Sequence, residues 1–467
     1  MKLPGSALYA PHKRIFVKHI WGQYQAKRWA IFAFLYAGFF ALPWLRIGDR
    51  PAVLLDIPER RFHILWVTFW PQDTYLLALF LIACALALFM VTAVFGRAWC
   101  GYVCPQTVGT SVFLEIERRI EGDRPAQLRL AQAPWTADKI KKRVLKHALF
   151  ILISVLFSFN LVAYFVGMYE LVHRTLTLTL TATNIGWLIA FFLLAYNDFG
   201  HFREQMCHGP CPYGRFQGVM LDPNSLVVSF DVNRGEPRQF FRKGQERHAG
   251  DCVNCNLCVD VCPAGIDIRQ GPQFECISCM RCADACNGVM DKVGFKQGLI
   301  RVASENELAG RPTRTFRPRL AVYGLILTGL VTTLGVQIAH HETTAVDVVR
   351  NRSFVYRQLA DGRVANVYLV KAINMDEHPH TYRLAIKGLP ARPLTSVPPI
   401  EVPAEQVVQQ SVALAVKPNE VASGVARFQF VLKDEGTGRV LAEHPSTFVM
   451  PTMSQSVVSA TSGKGQP

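Results

Sequence analysis

The chain has 467 residues, of which 50% are hydrophobic and only 18% are charged. This charged fraction is below that of an ordinary soluble domain, and the apolar residues fall in long runs. The composition therefore excludes a disordered chain and disfavours a fully soluble one. The net charge of +15 suggests nucleic acid, but no stripe of interleaved basic and aromatic residues supports such binding, so we predict no nucleic-acid partner.

Five apolar stretches are long enough for a helix to cross a hydrocarbon layer of about 30 Å. They cover residues 29–47, 75–95, 148–168, 178–196 and 320–338. The first is longer than the apolar core of a signal peptide and no small-residue cleavage site follows it, so we expect a retained anchor. Residues 51–70 contain Glu59, Arg60 and Arg61, and we expect this charged connection to lie at the membrane interface.

The distribution of Lys and Arg predicts the orientation of these helices. The second connection carries 10 of these residues and the third carries only 1. Short basic connections stay in the cytoplasm, which predicts a cytoplasmic N-terminus and a cytoplasmic segment between the fourth and fifth helices. Five crossings then place the C-terminal domain outside the cytoplasm.

Eight of the 13 cysteines lie in one segment with a doubled spacing. The pattern is Cys252-x2-Cys255-x2-Cys258-x3-Cys262-Pro263, followed by Cys276-x2-Cys279-x2-Cys282-x3-Cys286. It is the spacing of bacterial two-cluster ferredoxins, in which each motif supplies three ligands to one cluster and a fourth to the other. A structural zinc site is the alternative, which the doubled spacing disfavours.

The likeness to ferredoxins assigns the eight cysteines to two [4Fe–4S] clusters. One cluster would be held by Cys252, Cys255, Cys258 and Cys286, and the other by Cys262, Cys276, Cys279 and Cys282. Asn287 stands where the ferredoxin pattern repeats a proline. That departure affects the local turn and removes no ligand.

Two Cys-x3-Cys-Pro motifs follow the second and fourth apolar stretches. They are Cys100 and Cys104 with Pro105, and Cys207 and Cys211 with Pro212. Both are expected at the cytoplasmic edge, with each pair on one face if the turn is helical and the proline ending the helix. Soft thiolates there suit Cu(I) or a dithiol–disulfide couple.

Ordinary packing is the alternative for these pairs, and it is the interpretation we favour for Cys84. No pair among His147, His173, His201 and His208 faces another at helical spacing inside the membrane, so haem is not predicted. His208 lies between paired cysteines and is the histidine to test.

The composition changes after residue 341, where cysteine is absent and alternating apolar stretches begin. Seven strands are predicted, at 353–359, 364–373, 382–386, 407–416, 424–432, 439–444 and 447–450. They indicate an immunoglobulin-like β-sandwich without a disulfide. His378 and His380 are expected on a solvated edge, with copper capture as the alternative. Residues 454–467 are rich in Ser and Gly and are predicted to be disordered.

These elements predict a mixed membrane protein: about five transmembrane helices, a two-cluster ferredoxin insert and a C-terminal immunoglobulin-like β-sandwich. The expected domains are a cytoplasmic tail at 1–28, helices one to four at 29–220, a cytoplasmic ferredoxin-type domain at 221–318, helix five at 319–340, a periplasmic sandwich at 341–453 and the tail at 454–467.

Several stretches resemble the cytochrome c oxidase accessory protein family CcoG (FixG/RdxA), a family of membrane polyferredoxin-type proteins. They are residues 55–62, 96–106, 211–217, 234–238 and 298–301, together with the eight ferredoxin-type cysteines. The resemblance covers most of the chain. It implies an inner-membrane protein with two [4Fe–4S] clusters and a C-terminal sandwich, which assists assembly of a cbb3-type oxidase by reducing Cu(II) to Cu(I).

The leading hypothesis is a membrane oxidoreductase with cupric reductase activity. A soluble cytoplasmic donor would supply electrons, copper would bind Cys100, Cys104, Cys207 and Cys211, and the partners would be copper-handling and oxidase assembly factors. No Gly-rich nucleotide motif indicates direct use of NAD or flavin, and no catalytic residue is assigned. One alternative is an electron-relay subunit that exchanges electrons with quinone. Another is a non-redox scaffold in which the clusters only stabilise the fold.

Overall fold

The computed structural model describes residues 14–48, 50–65, 67–240, 250–314, 316–340, 344–351, 355–376, 378–394, 397–417, 420–421 and 424–451. The chain forms two compact units, Met1–Gly335 and Val336–Pro467. The predicted disordered tail at 454–467 lies outside the described residues.

The helices fall into two groups. The long apolar ones are α1 (Gln23–Ala41), α2 (Thr74–Phe95), α6 (Ala137–Val166), α8 (Ala182–Asn197) and α15 (Pro318–Ala339). The others, which are shorter or more polar, are α3 (Ala98–Tyr102), α4 (Pro105–Glu121), α5 (Arg124–Gln132), α7 (Met168–Leu176), α9 (Glu204–His208), α10 (Pro212–Met220), α11 (Val232–Gly235), α12 (Leu257–Asp260), α13 (Arg281–Val293) and α14 (Glu305–Leu308).

Among the described residues, four helical segments are long and apolar enough to cross a membrane. They are Thr74–Phe95, Ala137–Val166, Ala182–Phe202 and Pro318–Ala339. The predicted first span is not among them, so four of the about five expected helices meet this criterion. The reason is that α1 begins at Gln23 rather than at residue 29, so its first turns carry Gln25, Lys27 and Arg28.

Helix α1 nevertheless follows α6 along its length. The carbonyl oxygen of Phe39 accepts hydrogen bonds from Asn160 Nδ2 at 2.7 Å and from Tyr164 Oη at 2.8 Å. Just beyond α1, the carbonyl of Trp44 accepts a hydrogen bond from Tyr169 Oη, which follows the end of α6. The apolar part of α1 therefore reaches the same depth as a helix that meets the spanning criterion.

The long helices alternate in direction, so one end of the first unit collects all the cysteine motifs. The last turn of α2 is held there by Ser225 Oγ, which donates to the carbonyl of Ala93 at 2.7 Å. Arg317, just before α15, donates to the same carbonyl. We call this the cysteine end. At the opposite end, α1 and α2 are joined by strands β1 (Arg46–Ile47), β2 (Arg50–Pro51), β3 (Val53–Asp56), β4 (Arg61–Ile64) and β5 (Val67–Phe69).

The ferredoxin-type part is built on two short antiparallel strands, β6 (Val227–Phe230) and β7 (Ile300–Ala303). Their apolar side chains pack against α13 in a small buried core with Met290 and Leu299. Asp284 of α13 accepts hydrogen bonds from the backbone N–H groups of Tyr24 and Gln25, at 3.2 and 2.8 Å. A carboxylate at a helix N-terminus is stabilising, so this contact fixes α1 on the ferredoxin-type part.

The second unit is a sandwich of two antiparallel sheets around one apolar core. One sheet has the order β12-β14-β10-β8, with β9 also on β10, and the other has the order β13-β11-β15-β16. The strands are β8 (Thr344–Arg350), β9 (Arg357–Gln358), β10 (Val364–Asn374), β11 (His380–Lys387), β12 (Arg392–Pro393), β13 (Ile400–Val402), β14 (Val407–Val416), β15 (Gly424–Asp434) and β16 (Val440–Met450).

The core of the sandwich includes Tyr368 from one sheet and Phe428, Phe430 and Phe448 from the other. The predicted immunoglobulin-like sandwich is confirmed, but several strand assignments were wrong. Residues 344–350, 392–393 and 400–402 form strands that were not predicted, and the strands predicted at 439–444 and 447–450 are one strand. Pro445 does not interrupt β16, because this strand lies at the edge of its sheet.

A buried ionic network at the cysteine end joins α4 to α6. Glu117 Oε1 accepts from Arg14 Nη2 at 2.5 Å and from Arg203 Nη2 at 2.6 Å, and Lys146 Nζ lies 3.5 Å away. Lys146 also pairs with Glu121 at 2.8 Å. Burial alone would raise the pKa of Glu117, but the surrounding cations hold it below its ordinary value.

Replacing Glu117 is expected to destabilise the first unit. Glu117→Gln leaves buried cations without their carboxylate, which should cost about 3 kcal/mol or more. Glu115→Gln is the matched control, since Glu115 makes surface pairs with Arg118 and Arg119 that are worth less than about 1 kcal/mol. Thermal unfolding in detergent measures both variants.

The pH dependence of this difference follows from the sign of the pKa shift. A carboxylate whose pKa is lowered in the folded state stabilises above its unfolded pKa, and this contribution disappears as the pH falls through the folded value. The gap between wild type and Glu117→Gln should therefore shrink in acid. Equal unfolding midpoints for the wild type and Glu117→Gln at neutral pH would contradict a stabilising role of the ionic network.

The orientation is tested by reporter fusions. A reporter fused after Gln455 should be active only outside the cytoplasm, and one fused near Gly244 only inside, because the basic connections stay in the cytoplasm. The reverse pattern would overturn the predicted orientation. The same assay on a chain ending after α1 tests whether α1 crosses.

Candidate metal centres

Two groups of four cysteines line two separate cavities in the ferredoxin-type part. The first cysteine set comprises Cys252, Cys255, Cys258 and Cys286, which line one cavity with Arg269 on its wall. The second cysteine set comprises Cys262, Cys276, Cys279 and Cys282, which line another cavity with Arg281 on its wall and Cys258 at its margin. The grouping of thiols is the one that the likeness to ferredoxins assigns.

The arrangement fits a cluster better than a single ion. Within the described residues, no three His, Cys, Asp or Glu side chains converge closely enough to hold one metal ion. A zinc ion would draw four donors to about 2.0–2.3 Å from one point, whereas thiolates that bind separate irons of a cube stay further apart. Each cavity therefore has the donors and the space that a [4Fe–4S] group requires.

The two cysteine loops share a backbone conformation. Asn254 and Asn256 flank Cys255, and Ser278 and Met280 flank Cys279, and all four have positive φ angles between 52° and 59°. Non-glycine residues rarely adopt this left-handed conformation. The repeated pattern curls each Cys-x2-Cys-x2-Cys segment around its cavity, which directs three thiols inwards from one short loop.

Burial changes the acidity of these thiols. It raises the pKa of Cys258 and Cys262 to about 11 and the pKa of Cys276 and Cys286 to about 12. Thiols with such values are protonated at neutral pH until a metal replaces the proton. Loading of the two cavities should therefore release protons and stabilise the fold around them.

The two Cys-x3-Cys-Pro motifs, whose four thiols we call the membrane-edge cysteines, meet at the cysteine end. Cys100 lies on α3 and Cys207 on α9, while Cys104 and Cys211 are the N-cap residues of α4 and α10. Arg97 Nη2 donates to the carbonyl of Gly214 at 2.6 Å, which ties the first motif to the second.

The expected local geometry of these motifs was wrong. Each pair was expected on one helical face before a terminating proline, but a new helix begins at each proline. Pro105 and Pro212 occupy the first turns of α4 and α10, where the missing N–H costs nothing. The helix breaks between the paired cysteines, so the second cysteine of each pair lies at the N-terminus of the following helix.

The four thiols are close enough to influence one another's pKa, but no three of them converge on one point among the described residues. Burial, with the charges of Cys104, Cys100 and Cys211, raises the pKa of Cys207 to about 12. Burial also raises the pKa of Cys100, although Gln217 Nε2 donates to its sulfur at 3.2 Å and opposes that rise. Burial lowers the pKa of His208, whose buried Nε2 has no hydrogen-bond partner among the described residues.

The membrane-edge cysteines adjoin the second cysteine set through α3. A Cβ atom on Gly101 would lie 2.8 Å from the carbonyl oxygens of both Ile277 and Ser278, which belong to the loop between Cys276 and Cys279. Only glycine permits this approach. The guanidinium of Arg97 stacks over Phe274 just before that loop, 4.7 Å from the ring centre.

The remaining histidines do not form a metal centre. In the described part of the chain, His147 Nδ1 is 2.8 Å from Tyr196 Oη. In the sandwich, His380 Nε2 is 3.1 Å from Asp376 and its ring stacks on Tyr382, while His378 is largely exposed. No third donor joins them among the described residues. Copper capture at this edge stays a minority hypothesis.

Sequence reasoning missed the arginines around the second cysteine set. Arg28 donates from Nε to the carbonyl of Gly101 at 2.8 Å, and Arg281 donates from Nη2 to the carbonyl of Lys18 at 3.1 Å. The position of Arg281 between Met280 and Cys282 was the available signal. Arg28 is far from the cysteine motifs in the sequence, so nothing local pointed to it.

Comparisons with known proteins agree with this architecture. Residues 202–305 match a family described as a 4Fe-4S dicluster domain, residues 77–115 a 4Fe-4S binding domain, and residues 334–451 an IG-like fold at the C-terminal of FixG. A crystal structure of a FixG-related protein from Vibrio parahaemolyticus is 26% identical, with a TM-score of 0.21, and the match covers 24% of this chain and 98% of that one.

Similarity to whole proteins is more extensive. The chain is 36% identical over 484 residues to the nitrogen fixation protein FixG of Rhizobium meliloti (strain 1021), covering 94% of this chain and 91% of that protein. It is 40% identical over 399 residues to protein RdxA of Cereibacter sphaeroides, covering 82% and 84%. Protein RdxB of the same organism is 35% identical over 441 residues, covering 87% and 90%.

The fold and the cysteine cavities define a membrane iron–sulfur protein that transfers electrons through [4Fe–4S] clusters. The identity to FixG and RdxA over most of their length places it more narrowly: the chain belongs to the FixG/RdxA family.

The metal content tests the assignment of the two cysteine sets. The purified protein should contain about eight irons and eight sulfides per chain, and Cys279→Ser should lose one cluster while the other stays partly populated. Stoichiometric zinc or about four irons would refute two clusters. About twelve irons would assign a third cluster to the membrane-edge cysteines instead.

Proposed function

We propose that this protein reduces Cu(II) to Cu(I) at the membrane-edge cysteines and so assists assembly of a cbb3-type cytochrome c oxidase. The observation that carries the proposal is the contact of Gly101 with the loop between Cys276 and Cys279. It brings the backbone between Cys100 and Cys104 against the second cysteine set. The role in oxidase assembly follows from the resemblance to the CcoG family.

The ligand chemistry of the membrane-edge cysteines supports copper as the substrate. Thiolates prefer Cu(I) to Cu(II), so a copper ion held by them is driven towards the reduced state. Cys104 and Cys211, at the N-termini of α4 and α10, supply two further sulfur donors. The thiols of Cys100 and Cys207 lose their protons when copper binds.

The reaction balances as a one-electron transfer. A soluble cytoplasmic reductant gives one electron to the ferredoxin-type part, and Cu(II) gains that electron to become Cu(I), with no bond made in the substrate apart from its thiolate ligands. A [4Fe–4S] cluster in each cavity would supply one-electron storage. Cys255, whose side chain is exposed, marks the side on which a soluble donor can approach.

Orientation and partners form part of the same proposal. The basic connections favour a cytoplasmic cysteine end, where thiols stay reduced, and a periplasmic sandwich. Copper-handling proteins and oxidase assembly factors are the expected partners. A chain that only exchanges electrons with quinone is the alternative, and copper binding at the cysteine end distinguishes the two.

Single substitutions at the membrane-edge cysteines test this proposal. Cys100→Ser or Cys207→Ser should abolish stoichiometric Cu(I) binding and slow Cu(II) reduction at least tenfold, because an oxygen replaces a soft sulfur donor. The iron–sulfur spectrum should stay intact, since both cysteine sets are unchanged. A competition assay with a Cu(I) chelator measures binding.

Cys84→Ser is the matched control, because Cys84 lies on α2 away from both motifs and is exposed. It should bind copper as the wild type does. Unchanged copper binding in the Cys100 and Cys207 variants would return these residues to ordinary packing. Loss of both clusters in the same variants would mean that the pairs support the fold of the ferredoxin-type part, and the copper site would be rejected.

A further inference from the structure

The arginines near the two cysteine sets differ in whether they form an ion pair with a carboxylate. Next to the second set, Arg28 donates to Gly101, Gln25 and Ser111, all neutral groups. Arg28 is only 2% exposed, so its charge is not dispersed by water. Among the described residues, no carboxylate lies within ion-pair distance of it.

Arg97 and Arg281 share this property. Arg97 donates to the carbonyl of Gly214 and stacks on Phe274. Arg281 lines the second cavity, donates from Nη2 to the carbonyl of Lys18, and has a buried Nε without a hydrogen-bond partner among the described residues. In the part of the chain that the structure describes, neither forms an ion pair with a carboxylate.

The arginines beside the first set are neutralised. Arg269 lines the first cavity and donates to both carboxylate oxygens of Asp267, at 2.8 and 2.7 Å. Arg234 lies near Cys286 and donates from Nε to Asp251 at 2.5 Å. Each of these cations therefore presents little net charge to its cavity.

The two cysteine sets therefore differ in the net positive charge that lies close to them. The charges of Arg28 and Arg281 both act on the thiol of Cys279, and Arg97 acts on Cys276. The nearby acid on α13 is Asp284, whose carboxylate is engaged by the N-terminal N–H groups of α1. The charges of Glu115 and Asp123 reach Arg281 without pairing with it.

We propose that Arg281, together with Arg28 and Arg97, makes the cluster of the second cysteine set the easier of the two to reduce, so that electrons collect beside the membrane-edge cysteines. Reduction adds one negative charge to a cavity, and uncompensated positive charge in a poorly solvated site stabilises it. Solvent near the exposed Cys255 favours reduction of the first set, and three buried cations outweigh that effect.

This inference deepens the proposed function and rests on its electron path, because it gives the path a direction. One electron moves from the first cysteine set to the second and then to Cu(II), while no proton or bond is exchanged between the cavities. Arg281 is a positioning residue in this scheme: it sets where the electron resides and touches no copper.

A redox titration followed by electron paramagnetic resonance tests the proposal in the purified full chain. In the wild type the cluster that is lost in Cys279→Ser should have the higher midpoint potential. Arg281→Gln should lower that potential so that the reduced-to-oxidised ratio at a fixed potential falls about tenfold, which is 59 mV for one electron. Arg281→Lys, which retains the charge, should restore most of the shift.

Lys292→Gln is the matched control, since it removes one positive charge from the exposed last turn of the same helix. It should leave both potentials unchanged. If Arg281→Gln does not assemble its clusters, Arg28→Gln gives the same measurement. The proposal is overturned if the first set has the higher potential in the wild type, or if Arg281→Gln shifts neither potential more than Lys292→Gln does.

These outcomes are independent of copper. A titration with the expected order and no Cu(II) reduction would reject the proposed function while leaving the inference intact. Cu(II) reduction with the order of the two potentials reversed would reject the inference while leaving the proposed function intact.

Discussion

The contact between the backbone of α3 and the cysteine loop at Ile277 and Ser278 is the constraint on which the rest of the site depends. It requires glycine at position 101, because any side chain there would collide with two carbonyl oxygens. The same short helix carries Cys100 and precedes Cys104. One close approach therefore joins a metal-binding loop of the ferredoxin-type part to the thiols at the end of a spanning helix.

Buried charge gives this junction its electrostatic character. Arg28 reaches from α1 to the carbonyl of Gly101, and Asp284 fixes the start of α1 on α13. Further along, Glu117 neutralises cations that come from three parts of the chain. Among the described residues, the three cations near the second cysteine set have no carboxylate partner, whereas Lys146, Arg203 and Arg317 of the same unit do. We therefore assign their charge a functional role.

The sequence predicts those parts of the molecule whose structure is determined by residues close together in the chain. The spacing around Cys255 and Cys279 depends on a single short loop, so the two four-cysteine groups could be assigned before the structure. The start of α1 could not be predicted, because Gln25 and Arg28 are polar and their burial depends on partners on α3, α4 and α13. Gly101 lacks a local signal for the same reason.

Proline shows how a local rule can give the wrong element. Pro105 after Cys104 is compatible with the end of one helix and equally with the first turn of the next. The proline alone does not decide between the two. The structure has the second arrangement in both motifs. This changes the chemistry of the site, since it places Cys104 and Cys211 at helix N-termini instead of on a shared helical face.

The central claim is that electrons stored in the ferredoxin-type part reduce copper at the cysteine end. Anaerobic addition of Cu(II) to chemically reduced protein, freed of excess reductant, tests it directly. The account predicts that the iron–sulfur absorbance returns to its oxidised form while a Cu(I) chelator traps about two Cu(I) per chain, one for each stored electron. Clusters that stay reduced in the presence of Cu(II) would contradict the account.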